Sequence, residues 1–419
     1  MHMVLRSTAD MGTAITIGLA ISLAIGCVTQ SPAPQAAPAK PAAPAAPPAP
    51  TAPVTPTAPN EPTVAAPVDV FVGGEAGHAV YRIPSIVRLS GGTLLAFAEG
   101  RGSQDDNGSN DIVCRESKDG GATWGAIRTV LDIPGRSLNN PCVVQCTTGS
   151  HAGRIVMMLQ SYPTGCGEGC VQPGNEGDRV CRTLVLRSED NGATWSKPRD
   201  VTKSVKRPAP VTSVATGPGA GIELRYGTHP GRLVMPFNQG PPNDWRVYAA
   251  WSDDSGVTWS MGETAPEDGA GHANEVQMAE RPDGSILLVA RQFGGGARRK
   301  SAVSNDGGAT WSTLAAVPGL VDPSCMGGLL AMGGANVLVC TGPGSATQRI
   351  NGRAWISSDG GASWPSVCTI YDGSFAYSAP VELSAHRAGV LFERDSNSRI
   401  SFVAIDLTKL GTAAPAPQP

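Results

Sequence analysis

The chain has 419 residues, a formal net charge of -3 at pH 7 and only 16% charged residues. A slightly acidic chain offers no basic surface to a phosphate backbone, so its composition argues against nucleic acid as a partner. Thirteen of the 36 prolines lie between Pro32 and Pro67. Without this segment and a short C-terminal tail, about 340 residues remain, which one large β architecture can accommodate.

The N-terminal segment is typical of an exported protein. Residues 11–25 form an apolar run, followed by Gly26 and Cys27, and this run is shorter than the roughly twenty residues of a membrane span. We therefore expect a signal peptide over residues 1–27. Residues 24–27 resemble a bacterial lipobox, which implies a lipid on Cys27 and anchoring to a bacterial outer membrane or cell surface. The alternative is a cleaved signal with an incidental cysteine, and a secreted or periplasmic protein.

Residues 28–67 consist mainly of Ala, Pro and Thr. Such a composition cannot bury a core and favours an extended, disordered linker. We expect one folded domain over residues 68–412 and a disordered tail over residues 413–419.

Nine further cysteines lie in the expected domain: Cys114, Cys142, Cys146, Cys166, Cys170, Cys181, Cys325, Cys340 and Cys368. In an exported protein they predict disulfides, and the odd number leaves at least one thiol unpaired. The spacing of two cysteine pairs, at 142 and 146 and at 166 and 170, would also suit zinc. No histidine lies at a regular ligand spacing beside them, so we expect no metal.

An eight-residue pattern, Ser-x-Asp-x-Gly-x-Thr-Trp with small variations, occurs five times. The copies begin at Ser117, Ser188, Ser252, Ser304 and Ser357. Each copy has an Asp that can accept backbone N–H groups, a Gly that tolerates positive φ, and a Trp that can pack beneath the turn. Repeats at this spacing indicate an array of similar units.

Short apolar runs bounded by Gly and Pro lie between the repeats, for example residues 93–98, 154–159, 232–235 and 285–290. They have the length of strands, and no stretch carries a sustained helical period. Six units of about 57 residues would each suit a four-stranded blade. The sequence therefore predicts an all-β, six-bladed β-propeller in which one blade lacks the repeat or is closed by both chain ends.

The repeat resembles the Asp-box of sialidases and of other propellers, so by itself it indicates fold and not activity. More specific motifs resemble the bacterial exo-α-sialidase (neuraminidase) family, of glycoside hydrolase family 33 type. Residues 81–84 read Tyr-Arg-Ile-Pro, residues 274–277 read Asn-Glu-Val-Gln, and residues 375–378 read Phe-Ala-Tyr-Ser. The match extends from residue 81 to about residue 407.

The resemblance implies a site of seven residues. It implies a general acid at Asp106, with the neighbouring Asp105 as an alternative, a base at Glu275 and a nucleophile at Tyr377. It also implies three arginines that bind the substrate carboxylate, and a carboxylate that orients the first of them: Arg82, Arg291, Arg349 and Glu393.

These residue types suit a sialic acid substrate. Three guanidinium groups can hold an anion by charge-assisted hydrogen bonds. A phenol avoids the repulsion that a carboxylate nucleophile would meet at a carbon already bearing a negative group. The resemblance therefore implies an exo-α-sialidase that acts on sialylated glycoconjugates, with a covalent Tyr intermediate and no cofactor. A trans-sialidase and a non-catalytic sialic-acid-binding propeller are the alternatives.

Four further residues, two histidines and two tryptophans, could line a pocket or serve the fold. His78 and His272 lie near the motifs, and structural roles are favoured for both. Trp245 and Trp251 could stack on a sugar or fill a blade, and the sequence does not decide between these.

Overall fold

The computed structural model describes residues 62–333 and 336–410, and they form a six-bladed β-propeller. Two N-terminal strands, β1 (Thr63–Val64) and β2 (Val68–Val72), belong to the last blade. Blade 1 contains β3 (Val80–Arg88), β4 (Leu94–Arg101), β5 (Asn110–Ser117) and β6 (Arg128–Leu131). Blade 2 contains β7 (Arg136–Gln145), β8 (Ile155–Pro163), β9 (Arg182–Ser188) and β10 (Arg199–Asp200).

The first strand of blade 3 is interrupted. It consists of β11 (Ser213–Thr216) and β13 (Ile222–Glu223), which both pair with the second strand, while β12 (Gly219–Ala220) pairs with β7 of blade 2. The blade is completed by β14 (Leu233–Gly240), β15 (Arg246–Ser252) and β16 (Ser260–Met261). Blade 4 contains β17 (His272–Glu280), β18 (Ile286–Phe293), β19 (Arg298–Ser304) and β20 (Ala315–Val321).

The last two blades share one long strand. Blade 5 contains β21 (Gly328–Met332), β22 (Val337–Pro343), β23 (Ile350–Ser357) and the first half of β24 (Ser366–Ser384). Blade 6 contains the second half of β24, then β25 (Arg387–Arg394), β26 (Arg399–Asp406) and β2. Helical structure among the described residues is limited to Thr202–Val205 and two 3-10 turns, Glu75–Gly77 and Gly149–His151.

Each pair of neighbouring blades encloses one hydrophobic cluster, so the ring has six such interfaces. The alternation of β4 shows why its residues are apolar on both faces. Leu94 and Ala96 face blade 6, whereas Leu95 and Phe97 face blade 2. A strand that is covered on both sides reads as a continuous apolar run, and the four runs selected from the sequence are all strands.

The five repeats form the predicted turns, each between the third and fourth strand of its blade. In the first copy, Asp119 Oδ1 accepts the backbone N–H of Thr123 at 2.9 Å and the hydroxyl of Ser117 at 2.8 Å. The Gly two positions after the Asp has positive φ in every copy, for example +94° at Gly121. Each repeat Trp packs in the interface with the preceding blade, as expected: Trp124, Trp195, Trp259, Trp311 and Trp364.

The sixth blade explains why only five repeats exist. The turn between its third and fourth strands would join β26 to β2, but these strands are the two ends of the folded chain. The ring is therefore closed by antiparallel pairing of the ends rather than by a loop. Pairing with the propeller begins at Thr63, opposite Asp406, five residues before the domain boundary expected at Val68.

The antiparallel order of each blade gives the propeller two distinct ends. We call the end at which the innermost strands β3, β7 and β17 begin the mouth. Loops between second and third strands also lie at the mouth. The repeats, which follow the third strands, lie at the opposite end, here called the box end.

The expectation of several disulfides is wrong. Among the described residues there is one disulfide, between Cys166 and Cys170. Six other cysteines are buried as thiols: Cys114, Cys142, Cys146, Cys181, Cys325 and Cys340. Most of them lie inside the interfaces between blades, where burial raises their pKa and each sulfur acts as a small apolar group.

Within residues 62–333 and 336–410, no helix is long and apolar enough to cross a membrane. The expected signal peptide, with Cys27, and nearly all of the expected linker lie outside the described residues.

Candidate active site

The seven residues singled out from the sequence converge at the mouth of the central channel. The innermost strands contribute Arg82 on β3, Glu275 on β17 and Tyr377 on β24. The second strands run in the opposite direction and contribute residues near their ends, namely Arg291 on β18 and Glu393 on β25. Asp106 and Arg349 come from loops between second and third strands, in blades 1 and 5.

Irregular backbone turns these side chains into the channel. The strand register shifts between Arg82 and Ser85 on β3, between Ala273 and Val276 on β17, and between Phe375 and Ser378 on β24. Bulges of this kind redirect side chains and are frequent beside active sites. Ile83 has a φ of +61°, which is a strained value for a β-branched residue.

Glu393 is fully buried and holds two of the innermost strands together. Its Oε1 accepts Arg82 Nε at 2.7 Å and the N–H of Ile83 at 2.8 Å, while Oε2 accepts the N–H of Tyr377 at 3.2 Å. Burial alone would lower the pKa of Arg82, but the charge and hydrogen bond of Glu393, together with the charges of Tyr377 and Asp106, raise it overall. The guanidinium group is therefore permanently charged and fixed in direction.

Tyr377 lies at the centre of the cluster. Its hydroxyl donates to Glu275 Oε1 at 2.5 Å and accepts from Arg291 Nη1 at 3.1 Å. The guanidinium carbons of Arg82 and Arg349 each lie 5.5 Å from the centroid of the Tyr377 ring. Burial, and then the negative charge of Glu275, raise the pKa of the phenol well above its usual value. The phenol therefore keeps its proton until a base removes it.

The second and third arginines are held by one residue that the sequence analysis missed. Ser324 accepts Arg291 Nε with its hydroxyl at 3.3 Å and Arg349 Nη2 with its carbonyl oxygen at 2.9 Å. Among the described residues, Arg349 forms no ion pair with a carboxylate, so its charge stays available to an anionic ligand. Ser324 precedes β21 and has a φ of +58°, and no sequence signal distinguishes it from other serines.

Asp106 lies in the loop between β4 and β5. Its Oδ1 accepts Arg101 Nη1 at 2.5 Å and lies 3.9 Å from Arg82 Nη1. The side chain is 69% exposed, so it can reach a ligand that enters from the mouth. Asp105 has a different position, because its carboxylate caps the N–H of Asn107. The loop therefore directs Asp106, and not Asp105, to the site.

Arg101, the last residue of β4, was also missed from the sequence. Its guanidinium is 1% exposed and joins Asp106 to the fully buried Glu99. Glu99 in turn accepts the N–H of Asn140 on β7 at 2.7 Å. This chain of charges fixes the base of the Asp106 loop.

The four residues left open by the sequence have other contacts. His78 bonds to Asp111 at 3.2 Å, and His272 bonds to Arg246 at 3.0 Å. Trp245 is buried, and Trp251 packs against the interface of blades 3 and 4 beneath the guanidinium of Arg232. These contacts are structural. Among the described residues, no group of three or more His, Cys, Asp and Glu could hold a metal ion.

A separate cavity lies at the box end of the channel. It is lined by the last residues of the innermost strands, including Arg88, Glu280 and Glu382. None of the seven site residues lines it, so this cavity is distinct from the cluster at the mouth.

Residues 92–389 match the BNR repeat-like domain family. The sialidase of Micromonospora viridifaciens is 31% identical over 348 residues, which cover 79% of this chain and 52% of that protein. The chain thus spans about half the length of this relative.

Solved sialidase structures have the same fold. The Hadza microbial sialidase Hz136 superposes with a TM-score of 0.72 and 26% identity, covering 81% of this chain and 68% of that one. The intramolecular trans-sialidase of Ruminococcus gnavus superposes with a TM-score of 0.71 at 19% identity, covering 84% of this chain and 98% of that one; this likeness concerns the fold alone. On the family match and these relatives, the chain belongs to the bacterial sialidase family, of glycoside hydrolase family 33 type, whose members carry BNR repeats.

Proposed function

We propose that the protein is a retaining exo-α-sialidase that hydrolyses terminal α-linked sialic acid from glycoproteins, glycolipids or oligosaccharides. The observation that carries this proposal is the position of the Tyr377 hydroxyl, 2.5 Å from Glu275 Oε1 and among three guanidinium groups. A phenol paired with a base, inside a site for a carboxylate, suits a sugar whose anomeric carbon carries a carboxylate.

Binding follows from the arrangement of the arginines. Arg82, Arg291 and Arg349 surround the Tyr377 ring, so an anion that they hold lies directly beside the phenol oxygen. Guanidinium groups form paired, directional hydrogen bonds to carboxylates. The clamp therefore orients the anomeric carbon for attack.

The reaction proceeds in two displacements. In the first, the Tyr377 oxygen bonds to the anomeric carbon, its proton passes to Glu275, and Asp106 protonates the leaving oxygen as its bond to carbon breaks. In the second, water attacks the same carbon, Asp106 takes a proton from the water, and Glu275 returns its proton to the departing Tyr377 oxygen. Two inversions at one carbon give retention. A Tyr nucleophile sets sialidases apart from glycosidases that use two carboxylates.

The test uses the full-length protein with an α-linked fluorogenic sialoside, and mass analysis of the product. The parent is expected to release free sialic acid, and Tyr377→Phe to lose about 10²-fold or more of kcat, since the nucleophile and its proton relay are removed. Asp106→Asn should lose less on this substrate, because an aryl leaving group needs little protonation. Undiminished turnover by Tyr377→Phe would contradict the assignment of the nucleophile.

Transfer to a sugar hydroxyl instead of water is the second possibility for the same site. Adding a neutral disaccharide acceptor to the assay distinguishes the two: a new sialylated product would indicate transfer, whereas free sialic acid alone indicates hydrolysis. Binding of a sialoside without any release would indicate a recognition protein.

We further propose that the protein is exported and carries a lipid on Cys27. The apolar run at residues 11–25 and the lipobox-like residues 24–27 support this proposal. Labelling of cells with a radioactive fatty acid should mark the parent and not Cys27→Ser. An unlabelled parent would indicate a secreted or periplasmic protein instead.

A further inference from the structure

The loop between β8 and β9 contains a small disulfide-closed ring at residues 166–170, which read Cys-Gly-Glu-Gly-Cys. Within it, the carbonyl oxygen of Gly167 accepts the N–H groups of Cys170 and Val171 at 2.9 and 3.2 Å. Because this loop joins the second and third strands of blade 2, it lies at the mouth. We call residues 166–170 the cystine loop. Its one charged side chain is Glu168.

The cystine loop is fastened to the loop that carries Asp106. The N–H of Gly165 donates to the carbonyl oxygen of Asn107 at 2.7 Å. A Cβ atom placed on Gly167 would lie only 2.6 Å from Asn107 Nδ2, so the glycine backbone packs directly on the Asn107 side chain. Asn107 follows Asp106 in the chain. The cystine loop is therefore the neighbour of the residue to which we assign proton transfer to the leaving group.

Glu168 faces the charged cluster of the site. The side chain is exposed, yet it is surrounded closely enough for desolvation, together with the charges of Glu275 and Asp106, to raise its pKa to about 7 against the opposing effect of Arg291. A side chain on the wall of an open cleft can be both exposed to solvent and partly desolvated. Near neutral pH such a carboxyl exists in both forms, so it can either accept or donate a hydrogen bond.

These contacts locate Glu168 on a particular side of the site. The carboxylate of the substrate is held at Tyr377 by the arginines, whereas the bond that breaks points to Asp106. A residue that is mounted beside Asn107 borders the leaving group. When the leaving group is a neutral sugar, its hydroxyl groups are natural partners of a carboxyl.

We propose that Glu168 binds a hydroxyl group of the leaving sugar, and that the disulfide between Cys166 and Cys170 holds it in place for this contact. The inference rests on the proposed function and adds to it a determinant of specificity for the leaving group. Closing the ring matters because an ordered side chain loses less conformational entropy when it binds.

The experiment compares two substrates of the full-length protein. One is a sialylated disaccharide such as sialyllactose, and the other is an aryl sialoside whose leaving group has no sugar hydroxyls. Glu168→Ala should lower the ratio of kcat/KM on the disaccharide to kcat/KM on the aryl sialoside by about tenfold, the effect of one lost hydrogen bond to a group that can be charged. The ratio cancels any effect of Glu168 on Glu275, because both substrates depend on that residue. Asp106 matters more for the disaccharide, so Glu168→Gln is the test of an effect through charge. This variant removes the charge and keeps a hydrogen-bonding group, so it should keep a ratio near that of the parent, whereas an effect of the Glu168 charge on Asp106 would lower the ratio as Glu168→Ala does.

Controls separate this role from a general loss of folding. Glu176→Gln changes a carboxylate in the same β8–β9 connection that pairs with Lys203 away from the site, and it should leave the ratio at the parent value. A Cys166→Ser, Cys170→Ser double variant should lower the ratio in the same direction as Glu168→Ala, and thermal unfolding followed by circular dichroism verifies that each variant is folded.

A ratio for Glu168→Ala equal to that of the parent would overturn the inference while leaving the proposed function intact. An equal loss on both substrates would also overturn it, since Glu168 would then affect catalysis and not the leaving group. A parent protein that cleaves neither sialoside would instead contradict the proposed function, and the inference with it.

Discussion

The protonation of Tyr377 and Glu275 depends on the groups that surround this pair. A buried phenol with a raised pKa is a poor nucleophile by itself, and a carboxylate close to it raises that pKa further. The same carboxylate is the group that can remove the proton, and Arg291 lies within hydrogen-bond distance of both. The arginine stabilises negative charge on either oxygen, which lowers the cost of moving the proton from the phenol to the carboxylate.

The buried ion pair of Glu393 and Arg82 leads to a prediction about stability. Glu393→Gln should lower the free energy of unfolding by about 3–5 kcal/mol, because it leaves the buried Arg82 charge without its partner. Urea denaturation at neutral pH measures this loss. Glu176→Gln, in the exposed pair with Lys203, is the matched control and should be as stable as the parent. Equal stability of both variants would show that Arg82 finds another partner.

The sequence identified seven residues of the site, because each lies within or at a fixed distance from a motif of the family. It could not identify Ser324, Arg101 or Glu168 as parts of the site. Ser324 acts through its backbone carbonyl and an unusual φ, which no side-chain pattern reports. The cystine loop with Glu168 lies beside the Asp106 loop only because blades 1 and 2 bring the two loops together, as the hydrogen bond from Gly165 to Asn107 shows.

The Asp-box turns are the elements whose structure is determined most locally, by hydrogen bonds within the turn itself. Each carboxylate closes its turn through hydrogen bonds to side chains and to the backbone, and these bonds lower the pKa of Asp119, Asp190 and Asp359 to about 2. The turns need no other blade to form these bonds. For this reason the repeats were predictable as turns from the sequence alone.

A dependence of stability on pH follows from these turns. The folded-state pKa of Asp190 lies below its ordinary value, so the folded state binds fewer protons, and the stabilisation is present above about pH 4 and lost as the pH falls towards 2. The melting temperature of the parent should therefore fall between about pH 4 and pH 2. Asp190→Asn should melt at a lower temperature than the parent at pH 7, and the difference should shrink at pH 2.

Differential scanning fluorimetry across this range measures both effects. Asp178→Asn replaces an exposed Asp outside the turns and should follow the parent at every pH. If the melting temperatures of Asp190→Asn and the parent change with pH in parallel, the turn carboxylate adds no stability that depends on its charge.

Strands were also predictable, but not their pairing. The apolar runs at residues 93–98 and 285–290 correspond to β4 and β18, because a short apolar run bounded by turn residues is typical of a buried strand. Most cysteines were assigned wrongly, because a preference for disulfides in exported proteins does not distinguish a bonded cysteine from one that fills an interface between blades. Of the two cysteine pairs with the same short spacing, Cys166 and Cys170 lie in a loop and form a disulfide, whereas Cys142 lies within β7 and Cys146 directly after it, and both are thiols.

At the scale of the whole molecule, the ring depends on one noncovalent closure. Phe71 on β2 is fully buried between blades 6 and 1, with its ring centroid 5.3 Å from that of Tyr81. Phe71→Ala should lower the free energy of unfolding by about 3–5 kcal/mol. Because β2 completes blade 6, the variant should also expose the edge of β26 and become more susceptible to proteolysis at the N-terminal strand.

Phe293→Ala, at a Phe that is 38% exposed, is the control for the loss of an aromatic ring and should be nearly as stable as the parent. Limited proteolysis with mass analysis identifies the first cleavage sites. If Phe71→Ala is cut no faster than the parent, the closure does not depend on packing of this strand.

The direction of β26 has a practical consequence. This strand runs from Arg399 at the mouth to Asp406 at the box end, where Thr63 pairs with it. Both ends of the described fold therefore leave the propeller on its rear side, away from the active site. A protein fused or immobilised at either end of the described fold would keep the mouth unobstructed, so that a large ligand on another surface could approach it without meeting the attachment.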